Sequence, residues 1–146
     1  MDEIDTAILN ELKANSRAPT SEISKKVRLS IPAVGERIRK LEQAGIVERY
    51  TIKINRAKTD QRLLAFIFVN IDKTENIEDF RREIVSHRCV LECHHVAGAY
   101  DYLLKIVVDS TQSLEDFLTQ VLKKMNGVAS SNTIITLTTL KEEINP

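Results

Sequence analysis

Residues 21–46 read SEISKKVRLSIPAVGERIRKLEQAGI, and two short helical patterns sit in them with almost nothing between. Ile23 and Val27 are four apart, as on one face of a first helix. Val34, Ile38 and Leu41 follow at i, i+4 and i+7, the period of a second amphipathic helix. Arg28-Leu29-Ser30 leaves room only for a tight corner. Ser30 can cap the second helix through its hydroxyl, and Pro32 falls in the first turn, where a missing N–H costs little. Gly45 follows the last periodic residue, as a C′ residue should. With Val34, Ile38 and Leu41 turned inward, the outward arc carries Pro32, Glu36, Arg39, Lys40 and Gln43, flanked by Ala33, Gly35 and Arg37. A helix, a tight turn, and a helix with small residues and cations facing out predict a DNA-binding helix-turn-helix.

Charge is distributed to match. The formal net charge of the 146 residues is zero, yet residues 17–58 carry eleven Lys/Arg against four Glu, or +7. Residues 59–146 come to −4 and residues 1–16 to −3. A basic segment beside acidic ones is the pattern of a polyanion-binding module joined to something else, against the plainer reading of a solvated basic face. An apolar content of 42% suffices for a core, and 29% charge argues against wholesale disorder. No apolar run approaches the ~18 residues of a membrane span. The start MDEIDTAILNELK is acidic and amphipathic, unlike a signal peptide, so a cytoplasmic, nucleoid-associated location is expected.

Taken in order, Ile4, Ile8 and Leu12 form the apolar stripe of a first helix, with Asp2, Glu3 and Asp5 at its N-terminal end, where the macrodipole favours negative charge. After Gly45, IVERYTIKI alternates and is β-branched, with room for two very short strands, a wing ending near Ile54. Residues 1–54 are thus expected to form a winged helix-turn-helix, and polar 55–61 a linker. Beyond lie strand RLLAFIFVNID, a helix to about His87, strands CVLECHHV and DYLLKIVVD, a helix over Ser113–Met125 and strand SNTIITLTTLK. That order predicts an α+β chain whose residues 62–146 form a ferredoxin-like βαββαβ sandwich, two helices on one face of one sheet. The other sheet face would stay apolar and open, which predicts a second copy of the chain as partner.

Three stretches carry a resemblance to a known family: IDTAILNELKANSRAP (4–19), LSIPAVGERIRKLEQAGIVERYT (29–51) and VLECHHVAGAYDYLLKI (90–106). In this order and spacing the chain resembles, over nearly its whole length, the Lrp/AsnC (leucine-responsive/asparagine-responsive, feast/famine) transcriptional regulators. The resemblance implies an N-terminal winged helix-turn-helix and a C-terminal sandwich that dimerises and assembles further, often to octamers. It also implies a small-molecule effector, usually an amino acid, near the turn Gly98-Ala99-Tyr100-Asp101-Tyr102. Two positions depart from the family's pattern. Arg28 stands where the family usually has Gly, at a cost of about 1 kcal/mol if that residue is left-handed. Ala99 stands where an acidic residue is common, which removes one partner for an amino acid's ammonium, whereas Asp101 remains.

The expected DNA contacts are Arg28, Ser30, Ile31, Pro32, Ala33, Gly35, Glu36, Arg37, Arg39, Lys40, Arg49 and Lys53. Arg39 and Glu36 would meet base edges, Ala33 and Gly35 would permit close approach, and Arg28, Lys40, Arg49 and Lys53 would mainly meet phosphates. His87, Cys89, Cys93 and His95 share parity and are soft ligands, but their spacing matches no structural-zinc pattern. Cys93 as a nucleophile lacks a recognisable base and oxyanion donors, so no catalytic set and no cofactor are expected. Asp101 can alternatively serve the turn itself. The reading is a sequence-specific, DNA-binding transcriptional regulator acting on double-stranded DNA. Its competitors are a weakly specific DNA-organising protein without effector and an amino-acid-processing enzyme.

Overall fold

The computed structural model describes all of residues 1–146. It begins with α1, Glu3–Ala14, capped by Asp2 in a reciprocal box: the Asp5 N–H donates to Asp2 Oδ1 at 2.8 Å and the Asp2 N–H to Asp5 Oδ2 at 3.0 Å. Two orphan donors are satisfied at once. Helix α2, Thr20–Val27, buries Ile23, and α3, Ile31–Gln43, buries Val34 and Leu41. With Ile8 and Leu12 of α1 these side chains make the core, onto which Ile4, Leu9, Val27, Leu29 and Ile38 pack.

The corner between α2 and α3 is as tight as expected. Arg28 is left-handed, φ 55° and ψ 42°, and the Leu29 N–H returns to the Ser24 carbonyl at 3.1 Å. Ser30 then caps α3, its Oγ accepting from the Ala33 N–H. At the other end Gly45, φ 69°, closes a Schellman motif in which the Ile46 N–H reaches the Leu41 carbonyl and the Gly45 N–H the Glu42 carbonyl. Arg37 of α3 crosses to the α1 cap, with Nη1 2.9 Å from Asp2 Oδ2 and 2.6 Å from Asp5 Oδ1.

The expected wing is a correction. Residues 46–54 form no strand. Between Ile46 and Ile54 no Gly, Asn or Asp offers a hairpin turn, and an isolated two-stranded ribbon is marginal in water.

Residues Asn55–Glu142 form a second unit, while Met1–Ile54 form the first together with Glu143–Pro146. Two details differ from the expected bounds. Residues 55–61 hold a 3-10 turn, Arg56–Lys58, within the second unit, and the last four residues count with the first, where Lys13 Nζ donates to the Pro146 carbonyl.

The second unit is a four-stranded antiparallel sheet in the order β2-β3-β1-β4, with β1 Leu63–Ile71, β2 Val90–His95, β3 Tyr102–Val108 and β4 Val128–Ile135. Alternation sorts its faces. Ala65, Ile67, Val69, Tyr102, Leu104 and Ile106 are buried under two helices, α4 (Ile77–Ile84) and α5 (Thr111–Asp116). The chain continues from α5 through a π turn, Phe117–Val121, and a 3-10 turn, Leu122–Lys124. Phe117 and Leu122, five apart, are both buried while Val121 is half-buried, because the π turn inserts one residue into the helical period. On the helix-free face Phe66 and Phe68 are half-buried, and Ile134, opposite Phe66, is exposed. Lys105 sits between Glu92 at 3.0 Å and Glu142 at 2.8 Å, and Glu142 also takes Arg56 at 3.0 Å. No helix is long and apolar enough to cross a membrane.

Relief of the left-handed penalty at Arg28, about 1–2 kcal/mol, exceeds the chain entropy a glycine adds to the unfolded state, about 0.4–1 kcal/mol. Arg28→Gly is therefore expected to stabilise the first unit by about 0.5–1 kcal/mol in urea unfolding.

Asp2 and Asp5 lie below their ordinary value of 3.8, first through each other's backbone N–H groups and then through Arg37. Their stabilisation is complete above about pH 4 and fades as pH falls through the lowered folded-state values. A plot of Tm against pH should show that acid limb, flattened in Asp5→Asn.

Candidate nucleic-acid interface and ligand turn

The inward anchors of α3 decide what it shows outside. Ile31, Pro32, Glu36, Arg39 and Lys40 are exposed, and Ala33 and Gly35 are half-buried. A Cβ placed on Gly35 would meet nothing within 4 Å, so packing inside the protein does not require this glycine. Arg39 is engaged along its own helix, donating from Nε to Glu36 Oε2 at 3.0 Å and from Nη2 to Oε1 at 2.6 Å. That pairing holds the Glu36 carboxyl below the usual range, with help from Lys40 3.8 Å away.

Arg37 differs from its neighbours. Its side chain is 31% exposed and both its ion pairs run to the α1 cap, so the structure engages it inside the first unit. Ser30 Oγ is engaged as an acceptor by the α3 cap, while Arg28 and Arg49 are exposed. Lys53 lies in the irregular stretch after α3. Tyr50, in the same stretch, donates its hydroxyl to Glu42 Oε1 at 2.8 Å. Partial burial and Glu42 push its pKa up to about 12. The sequence does not announce this tie to α3. A Glu eight residues before a Tyr is too weak a signal to find it.

The turn between β2 and β3 is held at Asp101. Its Oδ2 accepts the Ile71 N–H at 2.8 Å, and its own N–H faces the Val69 carbonyl at 3.0 Å and Asn70 Oδ1 at 3.2 Å. Its carbonyl accepts the Val96 N–H at 2.9 Å. Gly98 and Ala99 are exposed, and the Tyr100 ring lies 5.0 Å from that of Phe68 on the helix-free face. Tyr102 faces the other way: it is buried, its hydroxyl takes the Arg81 Nε–H at 2.7 Å and its ring stacks on His95. Of the five turn residues, then, Tyr102 belongs to the core and Asp101 serves the sheet edge through one oxygen. Neither Asn70 nor Arg81 was legible as a partner, since both lie more than twenty residues away in sequence.

The soft side chains do not converge. Cys89 and Cys93 pack on the core, His87 sets its edge on Phe117, His95 stacks on Tyr102, and His94 meets Glu92 on the opposite face, so no three of them gather at one point. Burial raises both thiols.

Comparison with known proteins supplies the rest. Residues 1–42 match the AsnC-type helix-turn-helix domain and residues 64–146 the Lrp/AsnC ligand binding domain. The leucine-responsive regulatory protein of Escherichia coli is 33% identical over 144 residues, covering 97% of this chain and 88% of that protein. A transcriptional regulator from Neisseria meningitidis, solved as a complex with L-Met, superposes with a TM-score of 0.94 at 30% identity, covering 99% of this chain and 94% of that one. The feast or famine regulatory protein of M. tuberculosis complexed with L-methionine gives 0.91 at 30% identity, over 99% and 97% of the two chains. A capped helix-turn-helix with an outward basic helix, followed by this four-stranded sandwich, makes the chain a member of the Lrp/AsnC family of DNA-binding transcriptional regulators.

Proposed function

We propose that α3 lies in the major groove of a preferred DNA site, and that the second unit pairs with a further copy of the chain and takes an amino acid at the β2–β3 turn. The observation that carries the DNA reading is Gly35. A mid-helix glycine costs about 1 kcal/mol relative to alanine, and no side chain of the protein occupies the space beside it. Such a position suits close approach by a partner, and the cations flanking it are Arg39 and Lys40. Arg28, Lys40, Arg49 and Lys53 serve phosphates, and Arg37 positions α3 through α1 instead of touching the duplex. The protein works in the cytoplasm, on the chromosome.

Arg39→Ala is expected to weaken binding to the preferred site roughly ten- to a hundredfold, and Lys40→Ala mainly to lower the salt slope, by about one. Titrations at several salt concentrations read both. Unchanged affinity and slope in two folded variants would remove α3 from the groove, and a footprint without any preferred site would favour a DNA-organising protein.

Self-association follows from the helix-free sheet face, where no helix covers half-buried Phe66 and Phe68 or exposed Ile134. Sedimentation of the full chain at micromolar concentration should give a dimer or larger, and Ile134→Asp should shift it toward monomer.

For the ligand, Asp101 Oδ1 is the group left to meet an ammonium, since Oδ2 is committed to Ile71. The relatives solved with L-Met support the ligand class. With Ala99 supplying no second carboxylate, binding should be weak, high-micromolar or poorer. Asp101→Asn retains an oxygen for the Ile71 N–H but loses the charge, so calorimetry should show a further loss of roughly tenfold with Tm nearly unchanged. A submicromolar amino acid indifferent to Asp101→Asn would place the pocket elsewhere.

A further inference from the structure

Glu36 and Arg39 are joined in a particular way. Arg39 meets the carboxylate side-on, through Nε–H and one Nη2–H. The guanidinium is planar and carries five N–H donors in fixed directions. Side-on pairing leaves its end-on edge, one N–H each from Nη1 and Nη2, pointing away from Glu36. In the major groove guanine presents O6 and N7 side by side, the acceptor pair that this edge matches. Both side chains are about half exposed, 52% for Arg39 and 48% for Glu36, on the outward arc of α3. Lys40 Nζ, 3.8 Å from the same Glu36 oxygen, completes a cluster in which one carboxylate sits between two cations.

We propose that Glu36 is a positioning residue for Arg39, holding the guanidinium so that its end-on edge reads one guanine. The inference rests on the groove-binding reading of α3 given above. An unheld arginine on this helix would swing to the nearest phosphate, gaining affinity for every sequence and discriminating among none. Glu36 opposes that twice: it occupies the side-on edge, and its own negative charge is repelled by phosphates. The pair therefore trades non-specific affinity for base selectivity.

The test uses the full-length protein, a duplex selected by the wild type from a random pool, a series with each base pair of that duplex replaced, and a non-specific duplex titrated across salt. R39K is expected to lose a preference of about tenfold or more for guanine at one position of each half-site. E36A should lose most of the same preference at the same position, while its non-specific affinity rises and its salt slope steepens by about one. E36Q, whose amide oxygen still accepts from Arg39, should keep part of the preference. The double variant should discriminate no worse than R39K alone, because the two side chains act as one unit. Both positions of substitution are exposed, and melting curves confirm folding. E36A with full guanine preference, or with its loss at a different base pair from R39K, overturns the proposal. So does R39K with preference intact, although α3 stays in the groove as long as Arg39→Ala weakens binding or Lys40→Ala lowers the salt slope. A wild-type protein that selects no site overturns both.

Discussion

What the first unit offers a partner depends on one backbone conformation. Arg28 turns left-handed, Leu29 closes back on Ser24, and Ser30 opens α3, so the chain reverses within three residues. A connection that short leaves α3 no freedom to roll about its axis. Each residue of roll turns the surface by about 100°, enough to bring Val34 out and Arg39 in. With Val34 and Leu41 seated among Ile8, Leu12 and Ile23, the arc through Gly35, Glu36, Arg39 and Lys40 faces outward by default. A non-glycine residue at the left-handed position adds strain, and it also puts a cation at the corner, beside the start of α3. Stability and charge therefore pull in opposite directions at Arg28.

The cations of α3 show where sequence reasoning reaches and where it stops. Helical period placed Arg37, Arg39 and Lys40 near one arc, and exposure agrees for the last two. The fate of Arg37 depended on which helix crosses α3 and at what height, information that periodicity does not contain. The acids at the α1 start were legible as dipole partners, yet their capping box doubles as the receptor for an arginine thirty-two residues away. The helices, Ser30, Gly45 and the left-handed corner could be read because each is a local matter of a few consecutive residues.

In the second unit the same division holds. The apolar runs LLAFIFVNI and YLLKIVV were enough to find the central strands, but with apolar residues at both parities they do not say which face the helices cover. The π turn was invisible, because a template of period 3.6 pairs Phe117 with Val121 and only burial reveals Leu122 as the true neighbour. The extra residue in β2 was likewise invisible, because nothing in VLECHH marks where the pairing with β3 slips. The wing failed for the opposite reason: β-branched residues were present, but strands need a partner and a turn, and the stretch supplies neither within the chain.

The turn at Asp101 joins these local and distant effects. One carboxylate oxygen closes the end of β1 through Ile71, and the next residue but one toward the N-terminus, Ala99, is open to solvent. Tyr100, between them, lays its ring on Phe68, which belongs to the helix-free face. An ammonium meeting the second Asp101 oxygen would share the negative charge that Ile71 now receives, and so adjust how firmly the turn is held to β1. A ligand that binds only the folded turn stabilises it in proportion to occupancy. Because Tyr100 and Phe68 move with that turn, occupancy would be felt on the face where a second copy is proposed to sit. Ligand binding and assembly would then be linked reciprocally, each altering the other's affinity by the same factor. With Asp101 as the turn's one carboxylate, that factor should be small in this chain.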